Sequence, residues 1–174
     1  MSESGIQAIN EMPSEEAQDA FEECCGSVRW ASSLTRERPF LEVEDLHHSA
    51  DRLWGRARDE DRLEAFSAHP KIGDTDSLRK KQDHSDWALD EQDGTALASE
   101  ATLTALAKGN AAYEQRFGYI FITCATGKSA DEMRQELERR LENDPIVEMR
   151  EASEQQRQIT HLRLTKLLSE LGRE

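Results

Sequence analysis

A few residues stand out as able to do chemistry. His69 precedes Pro70 at the end of a helical pattern. A residue before proline is steered to extended backbone, so the imidazole projects off the helix terminus. The negative end of the helix dipole there favours the imidazolium form. A histidine near its reference pKa of about 6.5 can donate or accept a proton close to neutral pH. Glu91-Gln92 follows Trp87 and Ala88 on a short helical pattern. The neighbouring carboxylate and carboxamide present acceptor and donor edges to a planar, amide-rich ligand. Arg163 lies between Leu162 and Leu164 in the apolar stripe of the last helix. A part-buried guanidinium at that position needs an anionic partner. The run from Tyr119 to Cys124, closed by Gly127, is β-branched and aromatic. Within it Phe121, Ile122, Thr123 and Cys124, with Ala125, read as one buried extended segment without a partner strand. Its backbone groups must bond to flanking helix ends or to a ligand. Each feature has a plainer alternative: a helix cap for His69, one surface acid among many for Glu91, a snorkelling arginine for Arg163, a buried connector for 121–125.

The elements that position these residues read as helices. Ser14-Glu15-Glu16 predicts a helix start with Ser14 as N-cap. Gly26 stands where a C-cap glycine would. A short helix through Val28, Trp30 and Leu34 must stop before Pro39. From Val43 to Ala57 the residues Leu46, Ala50, Leu53 and Trp54 form an amphipathic face, with His47 and His48 expected in solvent. Leu63, Ala65 and Phe66 continue helically to His69-Pro70. Asp74 to Ser85 is polar, an exposed loop or short helix. Trp87 to Gly94 reads as helix, and Ser99-Glu100 opens another through Phe117. Gly109-Asn110 weakens that helix unless something packs closely against it. Ser129-Ala130-Asp131-Glu132 fits a capping box. Met133, Leu137 and Leu141 mark the next helix, and Pro145 starts a last one ending near Leu171. The expected fold is all-α, a single helical-bundle domain over residues 1–174 with about eight helices and one short extended segment.

Composition narrows the partners. The chain has 174 residues, with 36 acidic and 22 basic side chains and a net charge of -14. That balance argues against nucleic acid and anionic membrane. It favours solubility and fits a salt-tolerant or acidic proteome. No apolar run is long enough to span a bilayer, and MSESGIQAIN shows neither a basic n-region nor an apolar h-region, so no secretory signal is expected. The three cysteines, Cys24, Cys25 and Cys124, make a poor disulfide framework. A reduced, cytoplasmic setting fits them best. Neither CxxC nor HExxH occurs, so no metal site is expected.

Taken together, the residues carry a resemblance. His69-Pro70-Lys71-Ile72-Gly73, Glu91-Gln92, Asn110 with Tyr113, Arg116 to Ile122, Arg140 to Asp144, and Ile159 to Leu168 follow in the order and spacing of one family. Cys24 to Ser27, Trp30-Ala31 and Arg38-Pro39-Phe40 extend the match toward the N-terminus. The chain resembles the 2-oxo-4-hydroxy-4-carboxy-5-ureidoimidazoline (OHCU) decarboxylases of urate breakdown. The resemblance implies an all-α enzyme, a homodimer without cofactor, whose small-molecule substrate is the ureidoimidazoline and whose products are S-allantoin and CO2. It implies that His69 and Glu91 are catalytic. Pro70, Gln92, Arg163 and the backbone from Phe121 to Ala125 would bind substrate. Ala88 is a departure: the family commonly has serine three residues before the glutamate, so a hydroxyl contact to substrate is absent. Two other readings stay open, a non-enzymatic helical dimeric binding module and a decarboxylase or lyase acting on a related ureido acid.

Overall fold

The computed structural model describes residues 2–71 and 99–173. Among them the chain forms eight helices and no strand. They are α1 (Ser2–Glu11), α2 (Ser14–Cys24), α3 (Val28–Arg36), α4 (Val43–Gly55), α5 (Asp59–Ser67), α6 (Glu100–Phe117), α7 (Ala130–Leu141) and α8 (Pro145–Leu171). The stretch Asp74 to Ser85 and the helix expected from Trp87 to Gly94 lie outside the described residues. No described helix is long and apolar enough to cross a membrane. The chain groups into two compact units, residues 1–65 with 157–174, and residues 66–156.

The first unit is built on α1 to α4, most of α5 and the C-terminal part of α8. Its core includes Ile9, Phe21, Trp30, Leu34, Leu46 and Leu164, all at most 3 % exposed. Phe21 and Trp30 meet edge to face at 6.5 Å, and the Trp30 indole N–H donates to Ala50 O at 3.0 Å. Here α1 is a helix that the sequence reading did not anticipate. Asn10 fastens it to the turn after Pro39, exchanging hydrogen bonds of 2.8 and 2.9 Å with the Phe40 backbone.

Three local expectations are corrected in this unit. The N-cap of α2 is Pro13, and no side chain caps the helix. Ser14 is already helical, and its hydroxyl accepts from Arg38 Nη2 at 3.1 Å while the same guanidinium donates to Ile9 O and Met12 O. That charged donor competes for the hydroxyl that would otherwise cap. The C-cap of α2 is Cys25 in extended backbone, φ -147°, so Gly26 is not a left-handed cap. Such glycines among the described residues are Gly118 and Gly127. His48 is exposed as expected, but His47 is half-buried and stacks on His161 with ring centroids 4.3 Å apart. Burial first, and then the neighbouring His161, push its pKa down.

Gly5 of α1 shows why this helix was hard to read. A Cβ at that position would lie 2.2 Å from the backbone oxygen of Leu168. The close approach of α1 to α8 therefore requires glycine, although glycine weakens a helix by about 1 kcal/mol relative to alanine. Gly5→Ala is expected to lower stability by about 1–2 kcal/mol, the overpacking cost outweighing the gain in helix propensity. A shifted urea midpoint at unchanged slope checks it. A variant as stable as the parent would show that the helices separate freely.

The second unit packs α6 against α7. Leu106, Tyr113, Phe121, Met133 and Leu137 form its core. Ser99 caps α6, accepting from Thr102 N at 3.2 Å. Gly118, with φ 83°, ends the helix in left-handed backbone. The expected close packing at Gly109 is present: a Cβ there would fall 2.6 Å from Leu137 Cδ2. Ser129 accepts from Glu132 N at 3.1 Å, one half of the capping box that starts α7. Between α6 and α7, residues 121–125 are non-helical and all buried.

Candidate active site

The second unit contains His69, Pro70 and the 121–125 segment. Helix α5 ends at Ser67, and the chain turns there with His69 N donating to Phe66 O at 3.2 Å. Pro70 is buried and His69 half-buried. Beyond the proline, Lys71 pairs with Glu114 of α6 at 3.0 Å. The imidazole Nε2 of His69 lies 2.6 Å from Oε1 of Gln156. Gln156 is fully buried on α8. A carboxamide oxygen only accepts, so Nε2 carries the hydrogen.

The neighbouring residue on α8 does a parallel job. Gln155 Oε1 accepts from Cys124 N at 2.9 Å and from the Lys128 ammonium at 3.2 Å. Lys128 also reaches Thr123 Oγ1 at 2.9 Å and Glu136 Oε2 at 2.8 Å, and the Thr123 hydroxyl donates to Glu136 at 3.0 Å. Burial raises the Glu136 carboxyl pKa, but Lys128 and Arg140 more than offset it and hold it below the usual carboxylate range. Two adjacent glutamines thus tie a histidine and a backbone segment to one turn of one helix.

Behind the segment sits a buried arginine. Arg140 of α7 is fully buried; it donates to Ile122 O at 2.7 Å, to Glu136 at 2.9 Å, and to Glu148 at 2.5 and 2.8 Å. Its guanidinium carbon lies 4.5 Å from the Phe121 ring centroid. Glu148 is also fully buried and accepts from Tyr113 Oη and from Asn143 Nδ2. Burial, then the bond to Glu148, raises the Tyr113 pKa far above its ordinary value, so the phenol stays protonated. Of the segment's backbone groups, Ile122 O, Cys124 N and Ala125 O are engaged within the chain. That engagement trims the expectation that this backbone serves a ligand.

Arg163 belongs to the first unit. It is 9 % exposed, so it is not a snorkelling surface residue, and its Nη1 donates to Glu23 O at 3.4 Å. Its charge works against the burial that pushes the Cys25 thiol up to about 12. All three cysteines are buried and unlinked. Ala88, Glu91 and Gln92 lie outside the described residues. Among those described, no group of three His, Cys, Asp or Glu could hold a metal ion.

The sequence reading missed Gln155 and Gln156. A signal for the second existed: Ala152, Gln156, Ile159 and Arg163 recur at spacings of four, three and four, a helical face. A glutamine on a buried face needs a polar partner.

The described residues define an all-α protein, and comparison with known proteins gives it a family. The family model described as OHCU decarboxylase matches residues 10–165. The chain belongs to that family. A 2-oxo-4-hydroxy-4-carboxy-5-ureidoimidazoline decarboxylase of Mus musculus is 34% identical over 79% of this chain and 78% of its own. The uric acid degradation bifunctional protein TTL of Arabidopsis thaliana is 39% identical over 91% of this chain, which spans only 49% of that longer protein. A crystal structure of an OHCU decarboxylase in the presence of (S)-allantoin superposes with a TM-score of 0.75 at 37% identity, covering 87% of this chain and 98% of that one.

Proposed function

We propose that this protein decarboxylates 2-oxo-4-hydroxy-4-carboxy-5-ureidoimidazoline to S-allantoin and CO2 in urate degradation. Membership of the OHCU decarboxylase family across residues 10–165 carries the reading, and it favours an enzyme over a binding module. The carbon–carboxylate bond breaks, CO2 leaves, and the electron pair passes into the ring's own carbonyl/imine system. No pyridoxal, thiamine or metal is then needed as an electron sink. What remains for the protein is to bind a planar polar ring, hold the carboxylate out of conjugation and deliver a proton to one face. The imidazole of His69 supplies that proton. Glu91 orients His69 or takes up the substrate hydroxyl proton. Gln92, Pro70 and the 121–125 segment bound the ring. Ala88, lacking a hydroxyl, leaves that edge apolar, and a related ureido acid is the second substrate to try. The reading takes residues 1–174 as one functional domain acting as a cytoplasmic homodimer.

Arg163 is proposed to bind the substrate's anionic group or to hold Glu91. Its burial supports a role other than solubility. Arg163→Ala is expected to lower kcat/KM by about 10- to 100-fold, the loss of one charge-assisted bond of about 1.5–3 kcal/mol, with the chain still folded. Full activity in that variant removes Arg163 from the site.

The function is tested by generating the ureidoimidazoline in situ from urate and adding the protein. Rapid appearance of the allantoin circular-dichroism signal with S handedness is the expected result. A rate and a racemic product identical to the protein-free control would overturn the reading.

A further inference from the structure

We infer that Gln156 is a positioning residue for His69: its carboxamide oxygen keeps the hydrogen on Nε2, so the proton exchanged with substrate moves at Nδ1. This rests on the acid–base role of His69 proposed above.

The geometry makes the case. The Nε2 to Oε1 distance is 2.6 Å, short for an N–H···O bond. Gln156 is fully buried inside a helix of 27 residues, so its rotamer is locked by packing rather than left to a loop. His69 is half-buried and follows the end of α5 by two residues. An amide oxygen cannot take a proton near neutral pH, so the Nε2 hydrogen stays in place through a catalytic cycle and only Nδ1 alternates between protonated and bare. The choice of glutamine has a second consequence. A carboxylate at this distance would stabilise the imidazolium and raise its pKa by about 1–3 units. A neutral carboxamide orients the ring without that bias, leaving the proton easy to give up to a carbanion. The nearest ion pair in sequence, Lys71 with Glu114, is closed on itself at 3.0 Å.

The test reads the ring directly. The chain has five histidines, and nitrogen-15 spectra of the full protein show which ring nitrogen carries hydrogen in each. The His69 signals are those missing from His69→Asn. The expected neutral tautomer is Nε2–H. In Gln156→Glu, a near-isostere, the His69 pKa rises by at least about one unit. The sign carries to the rate: His69 donates when protonated, so the alkaline limb of the kcat/KM profile moves to higher pH. In Gln156→Leu, kcat falls about 10- to 100-fold with KM changed less than about threefold, and the allantoin loses enantiomeric excess. An Nδ1–H tautomer in the parent, or an unmoved His69 pKa in Gln156→Glu, overturns the inference. Should Gln156→Leu fail to fold, the tautomer and the Gln156→Glu titration decide alone. Both are read without substrate, so a protein that made no allantoin would sink the proposed function while leaving this inference to stand or fall on the spectra.

Discussion

His69→Asn is expected to leave only the uncatalysed decarboxylation and to yield racemic allantoin from a folded protein. Three links support this. Pro70 restricts the His69 backbone, so the imidazole is aimed rather than free. The end of α5 lies two residues upstream, and its carbonyl dipoles favour the protonated ring. Gln156 then bonds the ring at 2.6 Å. Asparagine keeps the polarity and approximate size but cannot carry a proton near neutral pH. A placed acid–base group contributes about 10²–10⁴-fold, roughly 3–5 kcal/mol of barrier at 1.36 kcal/mol per decade. The cost to folding is smaller. The Gln156 oxygen loses its ring partner, an expense of about 1–3 kcal/mol against a total stability of about 5–15 kcal/mol. Rate and stereochemistry should therefore collapse together while the melting curve moves by a few degrees. Racemisation matters as a separate readout, because water protonates either face of the carbanion and a merely slowed enzyme would still make S product. S-allantoin formed at near wild-type rate by His69→Asn would sink both the assignment and the mechanism.

Much of the frame was legible because its signals were strong and local. Ser99, Ser129 and Pro145 mark helix starts through hydrogen bonding and fixed φ, and all three helices begin at or beside them. Gly118 was readable as a terminator since a left-handed residue there needs no Cβ. The non-helical, buried 121–125 segment showed in its β-branched run. Misreadings came where a long-range partner outweighed a local rule. Ser14 looks like a cap until Arg38, 24 residues on, takes its hydroxyl. Gly5 and Asn10 are poor helix formers within α1, yet one permits close contact with Leu168 and the other pins Phe40. His47 reads as solvated until His161 arrives from α8. The same reason hid Gln156. His69 was suspicious from its neighbour Pro70, but its anchor lies 87 residues away, and sequence alone names no partner over that distance.

Glu148→Leu is expected to give the largest loss of stability, about 3–5 kcal/mol. Arg140 and Glu148 are both fully buried and joined by bonds of 2.5 and 2.8 Å. Burial on its own lowers the arginine's pKa, and the bonds and charge of Glu148 raise it above its ordinary value, so the guanidinium is charged inside the core. Removing the carboxylate strands that charge, and also orphans Tyr113 Oη and Asn143 Nδ2. For a chain of this length 1 kcal/mol corresponds to roughly 2–4 °C, so the melting temperature should fall by roughly 6–20 °C. The double variant Arg140→Met/Glu148→Leu should recover much of the loss, because a buried pair replaced by apolar groups is often nearly neutral. It should not recover activity to the same degree. Arg140 Nη1 also holds Ile122 O at 2.7 Å and its guanidinium packs on Phe121, so without it the segment loses the bond that fixes its backbone. Stability restored with activity still depressed separates the pair's two tasks, neutralising a buried charge and shaping the wall of the proposed site. Recovery of both would mean that the 121–125 segment holds its shape without the arginine.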